Sequence, residues 1–359
     1  MNEITISMHP WQQFLEEQGY RFEQDRAFDA LVPAAGLSPD TASAGFITPL
    51  TDLGLMMFSG EEAAKFLHNQ LTNDVEHLGA REARLAAYCT PKGRMLASLL
   101  LWRESDAIFL QLPREIQPTV QKRLQMFILR AKVKAHDVSD TRVVLGVGGA
   151  AAGAALAPWA KELPAAPYAR VDAAGGALIR VADAFGAPRY QWITTPEQAQ
   201  EAWPQLTQKL QPAGTASWRL ADILAGVPQI VKATQESFVP QMVNFEVIGG
   251  VNFRKGCYPG QEIVARSQYL GKLKRRMALA LADAGAGAAP AAGMEVFSVA
   301  DPDQPCGMVV NAEQYGPGEF AMLVELKTAA LDEGSVHLGS AAGPALRMQA
   351  LPYALPDAA

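Results

Sequence analysis

The chain has 359 residues, 49% of them apolar and 19% charged, with a net charge of −6. That length allows two or three domains around a substantial core, and the acidic balance argues against a generally basic nucleic-acid-binding surface. Cys89, Cys257 and Cys306 lie far apart with no C-x-x-C pair, so zinc-finger spacing, a disulfide framework and a complete all-cysteine cluster ligand set are excluded for one copy, and no metal site is expected.

Residues 1–45 open with an amphipathic stretch around Trp11, Phe14 and Leu15, followed by a Pro/Gly/Ser-rich connection over 33–45. The opening residues include His9, Glu16, Glu17, Arg21 and Glu23 without a long apolar run, so no signal peptide is expected. Residues 143–160 carry no charge but are Gly/Ala-rich and contain Pro158, too broken for a membrane span. A soluble, cytoplasmic protein without a membrane partner is the expectation. Residues 46–58 read as strand with a turn near Asp52-Leu53-Gly54. Ser59 is expected to cap a helix with Glu61 and Glu62 in its first turn. Ala63, Ala64, Phe66, Leu67, Gln70 and Leu71 then give the spacing of a core-facing helix. A strand into the turn Pro91-Lys92-Gly93, a strand pair at 95–102 and 107–112, a helix over 113–127 and a strand over 128–138 follow. This series predicts an α+β unit with helices on one face of an antiparallel sheet.

The strand at 142–147 leads into Gly146-Val147-Gly148-Gly149-Ala150-Ala151, which fits the dinucleotide fingerprint G-x-G-x-x-A. The next elements, 177–181 and 189–194 joined through Phe185-Gly186-Ala187-Pro188, read instead as an antiparallel hairpin, so a strand-to-helix turn is preferred over a nucleotide site. Helices are expected over 196–210 and 217–224, the second capped by Ser217 and carrying Trp218, a core-packing residue by default. From Met277 onward, short apolar runs between Gly/Ala/Pro-rich loops suggest a small C-terminal barrel or sandwich.

The segment 252–266 concentrates chemistry. Pro259 suits a first helical position and Glu262 its first turn, with Gly271 as the stop. Cys257 then sits just before a helix N-terminus beside Arg254 and Lys255, an arrangement that favours thiolate, and Gly256 permits close approach. The alternative is a small apolar cysteine filling a loop pocket. None of the five histidines stands in a recognisable setting, which argues against a cysteine hydrolase. Seven Lys/Arg against one Glu between Arg254 and Arg276 point either to a solvated face or to an anionic partner.

Lys255-Gly256-Cys257-Tyr258-Pro259-Gly260-Gln261-Glu262 resembles the K-G-C-[FY]-x-G-Q-E signature of the YgfZ family of folate-binding proteins, relatives of the glycine-cleavage T-protein (aminomethyltransferase). The resemblance extends to Phe238-Val239-Pro240-Gln241-Met242-Val243-Asn244, to Gln70-Leu71-Thr72-Asn73-Asp74-Val75, to Pro91-Lys92-Gly93-Arg94, to Arg130-Ala131-Lys132-Val133 and to Leu351-Pro352-Tyr353. It implies an α+β fold, a three-lobed cloverleaf with ferredoxin-like lobes and a C-terminal β-barrel. The expected division is an N-terminal segment 1–45, lobes at 46–140 and 141–250 that are discontinuous in sequence, the motif and its helix at 251–276, and the barrel at 277–359. It also implies a tetrahydrofolate-type ligand and work in the upkeep of iron–sulfur enzymes, among them tRNA-thiolating ones; the cations between Arg254 and Arg276 separately offer tRNA as a partner. On that resemblance Cys257, Lys255 and Arg254 form the reactive group. Trp218, Leu53, Leu224, Gly256, Tyr258, Gln261, Glu262 and Arg266 surround the folate, with Leu53 standing near a family Trp position and Leu224 at a Glu position. The T-protein reaction needs a carboxylate in the strand after the K-G turn. Here Ala97 and Ser98 stand in that strand, so glycine-cleavage aminomethyl transfer is disfavoured. Three readings follow: a folate-dependent accessory factor with a working thiol, a one-carbon transferase using the same site, and a tRNA-binding module.

Overall fold

The computed structural model describes residues 9–23, 26–32, 37–269, 273–283, 289–332 and 334–356. In chain order the N-terminal segment gives α1 (Pro10–Glu17), β1 (Arg21–Glu23), β2 (Arg26–Leu31) and α2 (Pro39–Ala44). Next come β3 (Phe46–Pro49), β4 (Leu53–Ser59), α3 (Ala63–His68), β5 (Ala83–Cys89), β6 (Met95–Glu104), β7 (Ala107–Pro113), α4 (Gln117–Met126) and β8 (Lys134–Asp137). Then follow β9 (Val143–Gly148), α5 (Ala152–Leu156), β10 (Arg170–Ala173), β11 (Gly176–Ala184), β12 (Ala187–Thr194), α6 (Pro196–Thr207), β13 (Gln211–Pro212) and α7 (Thr215–Leu224). The last part holds α8 (Gln261–Tyr269), β14 (Arg275–Asp283), β15 (Glu295–Ser298), β16 (Asp301–Gly316), β17 (Glu319–Lys327), α9 (Ala329–Asp332), β18 (Val336–Leu338) and β19 (Arg347–Gln349).

Three larger sheets organise these elements. The first runs β5-β6-β7-β4-β8, all antiparallel. Period-two alternation divides its residues between two cores. Ala97, Leu99 and Leu101 pack with Phe66, Leu67, Val120 and Leu124 of α3 and α4, whereas Leu100 and Trp102 face the centre of the molecule. The second sheet runs β10-β11-β12-β9-β3-β13. Val143, Leu145, Val147, Tyr190 and Trp192 point toward α1, α5 and α6, and Val144 and Ile193 face the centre. β3 thus belongs to the second sheet although it precedes the first in sequence. The third sheet, β18-β15-β16-β17-β14-β19, is a curled antiparallel half-barrel that sends Val310, Ala321 and Leu323 to the same centre. No helix among the described residues is long and apolar enough to cross a membrane.

Several local expectations are corrected. Ser59 ends β4 instead of capping; α3 begins four residues later behind Glu62, which makes no side-chain cap. The strand expected over 128–138 shortens to β8, because residues 127–132 turn, with Leu129 at φ 43°. β9 pairs antiparallel with both β12 and β3, so Gly146–Ala151 enters no parallel crossover and the dinucleotide reading falls. Gly146 has another purpose: a Cβ there would lie 2.5 Å from the Trp218 ring. α7 starts at Thr215 behind Gly214, which leaves Ser217 inside the helix. Pro259 lies in the turn ahead of α8, not in it, and Gly271 lies outside the described residues. The 33–45 connection contains α2, capped by Ser38 with Pro39 at its first position. The expected C-terminal barrel is present as a curled six-stranded half-barrel, whose end strands β18 and β19 do not pair with each other among the described residues.

α7 ties the sheets together, since it lies against β2, β3, β11, β16 and β17. Its Arg219 Nη1 donates to Asp29 Oδ1 at 2.9 Å and to Asp52 Oδ2 at 2.8 Å, and Nη2 donates to Asp29 Oδ2 at 3.1 Å. Its Nε donates to Glu313 on β16. Burial pushes the Asp52 and Glu313 carboxyls above their ordinary range, and Arg219 opposes the shift. A carboxyl raised in the folded state binds protons that the unfolded chain gives up, so its contribution to stability grows as pH falls through its folded value. Arg219→Met leaves three part-buried carboxylates without a cation. It is expected to cost about 3–5 kcal/mol at pH 8 and distinctly less at pH 5, measured by urea denaturation across that range. A penalty independent of pH would show that Asp52 and Glu313 do not take up protons across that range.

Candidate functional site

The inner faces of the first two sheets, α7 and the segment after it line a small, partly open cavity of about 60 Å³. Most of its wall is aliphatic, from Leu53, Leu85, Leu100, Leu112, Val181 and Val227. The polar residues arrive by strand alternation. Ser98 and Gln111 lie on the central face of the first sheet, and Arg189 and Gln191, two apart on β12, lie on that of the second.

These polar groups are incompletely satisfied. Arg189 is 0% exposed. Its Nε donates to Ala182 O at 2.9 Å and its Nη1 to Asp222 Oδ1 at 2.8 Å. Its Nη2 has no hydrogen-bond partner, nor have Gln111 Nε2 and Gln191 Oε1. Buried polar atoms without partners are rare because each forfeits its hydration. Gln229 Nε2 donates to Asp222 Oδ2 at 3.2 Å. Burial raises the Asp222 carboxyl, and Arg189 works against that rise. Tyr168 completes the wall with φ 64°, a left-handed conformation that costs energy for a bulky residue.

Trp218 is 1% exposed and does not line the cavity. The Arg189 guanidinium covers its ring at 4.6 Å from the centroid, and Phe46 packs at 6.2 Å. Trp218 and Asp222 stand four apart on α7 and therefore share a face, so the helix presents Arg189 with both a π surface and a carboxylate.

The K-G-C-Y-P-G-Q-E loop lies elsewhere, against the first lobe. Gly260 adopts φ +84°, and a Cβ there would meet Thr90 O at 2.5 Å and Gly93 Cα at 2.6 Å. The loop therefore nests on the turn between β5 and β6. Asn252 N–H donates to Thr72 O. Lys255 Nζ donates to Leu71 O at 2.8 Å and to His68 O, and stands over the Tyr258 ring at 4.8 Å. Burial pulls the Lys255 ammonium down to about 8, against the opposing pull of Asp74, Cys257 and Glu76. Burial pushes the Tyr258 hydroxyl up, and it pushes the neighbouring Cys89 thiol up to about 12. Cys257 is an exposed free cysteine, separated from α8 by Tyr258, Pro259 and Gly260.

One histidine escaped the sequence reading. His68, on α3, is 7% exposed, and its Nδ1 lies 3.0 Å from Asp74 Oδ1. Its Nε2 is turned toward Gly256, where an added Cβ would sit 3.5 Å away. Asp74 also accepts from the His77 N–H at 3.1 Å. Partial burial raises the Asp74 carboxyl, and the contacts with His77 and His68 outweigh it, so the group is held below its ordinary range.

The structure therefore divides the expected site residues. Cys257, Lys255, Gly256 and Tyr258 come together with His68 and Asp74. Arg254, Glu262 and Arg266 are exposed and Gln261 half-buried on the same loop and helix. Of the expected ligand contacts only Leu53 lines the central cavity. Trp218, Leu224, Gly256, Tyr258, Gln261, Glu262 and Arg266 do not. Arg189, Gln111, Gln191, Tyr168 and Asp222 were not anticipated. No cluster of His, Cys, Asp and Glu able to hold a metal occurs among the described residues.

No family model matches the chain. Among curated proteins it is 30% identical over 323 residues to the "tRNA-modifying protein YgfZ" of Yersinia pestis (strain Pestoides F), covering 89% of this chain and 96% of the relative. It is 32% identical over 312 residues to the protein of the same name from Klebsiella pneumoniae (strain 342), covering 86% and 93%. Among solved structures, the glycine cleavage system aminomethyltransferase T from Bartonella henselae superimposes with a TM-score of 0.76 at 16% identity over 96% of both chains, which shows a shared fold. With identity at this level over nearly the whole chain and the T-protein fold beneath it, the chain belongs to the YgfZ family.

Proposed function

We propose that this protein is a tetrahydrofolate-binding accessory factor for enzymes of tRNA modification, acting in the assembly or repair of their iron–sulfur clusters, with Cys257 as its working thiol. The observation that carries the proposal is the central cavity, where a fully buried guanidinium N–H and two buried amide groups lack partners. Such a wall calls for a ligand that is mostly apolar yet bears a few hydrogen-bonding groups, and a reduced pterin with its aryl arm has that character. Arg189, Asp222, Gln111, Gln191 and Gln229 would hold its polar edge; Leu85, Leu100 and Val181 would hold its ring faces. Bound there, a reduced folate supplies nitrogens able to carry a one-carbon unit. The names of the relatives support the link to tRNA modification. Cys257, exposed on a loop pinned by Lys255 and Gly260, can meet a client's sulfur or metal without rearrangement of the fold.

The transferase reading is weaker. Ser98 lines the cavity where a reacting carboxylate is needed, and its Oγ accepts from Ile230 N–H at 2.9 Å. Asp222, the carboxylate in the wall, is tied to Arg189. The tRNA-binding reading loses part of its basis as well. Arg275 pairs with Glu325 and Arg276 with Glu246, so the basic segment does not present all its cations on one face.

Ser98→Leu should fill the cavity from a buried strand position and weaken tetrahydrofolate binding by at least about tenfold, near 1.4 kcal/mol. Calorimetry on the folded variant decides this, and an unchanged affinity would remove the cavity as the folate site. Cys257→Ser should shift stability by less than about 0.5 kcal/mol, as an exposed substitution does. The same variant should fail to restore thiolated tRNA in cells lacking the protein, read by mass spectrometry of the nucleosides. Full restoration would end the thiol role.

A further inference from the structure

Arg189 makes a demand that the protein itself does not meet. Its guanidinium is fixed by two hydrogen bonds, to Ala182 O and Asp222 Oδ1, and by the Trp218 ring against its face. The group is always charged, so Nη2 is permanently a donor. Whatever sits opposite it must be an acceptor. Gln111 and Gln191 impose no such polarity, because a primary amide can be turned to offer either end. Asp222 supplies the complementary demand. Its Oδ1 holds the Arg189 Nη1 donor, while its Oδ2 accepts one bond, from Gln229 Nε2, and retains acceptor capacity. A free donor and a free acceptor thus belong to one buried, hydrogen-bonded pair.

The charge of that pair says which part of a ligand it meets. Arg189 and Asp222 neutralise one another, with 1% and 11% of their side chains exposed. A carboxylate tail brought here would be an unpaired buried charge, which is costly. A neutral heterocycle edge with an acceptor next to a donor fits. The lactam of a 4-oxo pterin has that order: the C4 carbonyl accepts and the adjacent N3–H donates. A 4-amino ring presents the reverse, an amino donor beside a bare ring nitrogen, and would set donor against donor at Arg189.

Resting on the folate reading above, we propose that the Arg189–Asp222 pair reads the lactam edge of a pterin and selects 4-oxo over 4-amino rings. Trp218 is a positioning residue in this scheme, since it acts on the ligand only through Arg189. Calorimetry on the full-length protein with tetrahydrofolate and tetrahydroaminopterin, which differ only at position 4, tests it without any variant. The 4-amino compound should bind at least about tenfold more weakly, the usual consequence of an unpaired buried polar group. Equal affinities, or a preference for the 4-amino ring, would overturn the inference while leaving folate binding intact. Failure to bind either compound would instead defeat the folate reading on which it rests. The double variant Arg189→Met, Asp222→Leu removes the pair as a unit, so it leaves no lone buried charge. It should fold and bind both compounds weakly and alike; a preference retained in that variant would also overturn the assignment.

Discussion

The Arg219 guanidinium fixes where everything else can stand. Three carboxylates reach it from the N-terminal segment, from the turn between the second and first sheets, and from the third sheet: Asp29, Asp52 and Glu313. One cation among three anions is not a neutral arrangement. It holds because the planar fork of Arg219 serves Asp29 with two bonds while still donating to the other two. The consequence is a fixed rotation of α7. With Arg219 turned to that cluster, the 100° step of the helix turns Trp218 and Asp222 to the neighbouring face, toward β12. Arg189 can then be buried at all, because the same helix gives it a carboxylate and an aromatic surface. The polar wall of the cavity is in this sense a consequence of the charge cluster beside it.

Glycine sets the other limit on α7. Trp218 approaches β9 so closely that Gly146 has no room for a side chain. The glycines that imitate a nucleotide-binding fingerprint are there because an indole and, at Gly149, the Gly45 backbone lie against the strand end. A motif that names one chemistry is explained by packing, and the antiparallel pairing of β9 is the observation that separates the two.

Strand and helix identity was legible from periodicity alone where the pattern was long: the 95–102 and 107–112 pair, the 177–181 and 189–194 hairpin, and the apolar face around Phe66 and Leu67. Boundaries failed where a serine looked like a cap. Ser59 and Ser217 have the right residue type, but neither accepts the capping bond, whereas Ser38-Pro39-Asp40 supplies a cap, a first-position proline and a first-turn carboxylate inside a Pro/Ser-rich stretch that reads as a connection. The site was harder to read. Arg189 and Gln191 alternate with Tyr190 and Trp192, which from sequence reads as a solvated face. Only the packing of two sheets turns that face inward, and the strands that meet there come from positions nearly a hundred residues apart. The eight-residue motif was legible because its chemistry is local in sequence. Its partner His68 was not, since nothing near residue 68 announces the loop that folds onto it.

The cavity and the motif loop both rest on one hairpin. β5 brings Leu85 to the cavity wall and ends at Cys89, which together with Tyr258 closes the side facing the motif loop. β6 carries Ser98 in the wall, and the turn joining the two strands supports Gly260. Ser98 pairs with Ala87, two residues before Cys89. Cys257 is exposed and does not line the cavity, and the buried Tyr258 stands next to it in the loop. An exposed thiol outside the cavity fits the proposed external partner better than a reaction inside the cavity. The β5–β6 hairpin is a covalent route by which occupancy of the cavity could alter the loop that carries the thiol, since both strands line the cavity and the Thr90–Gly93 turn between them lies beneath Gly260.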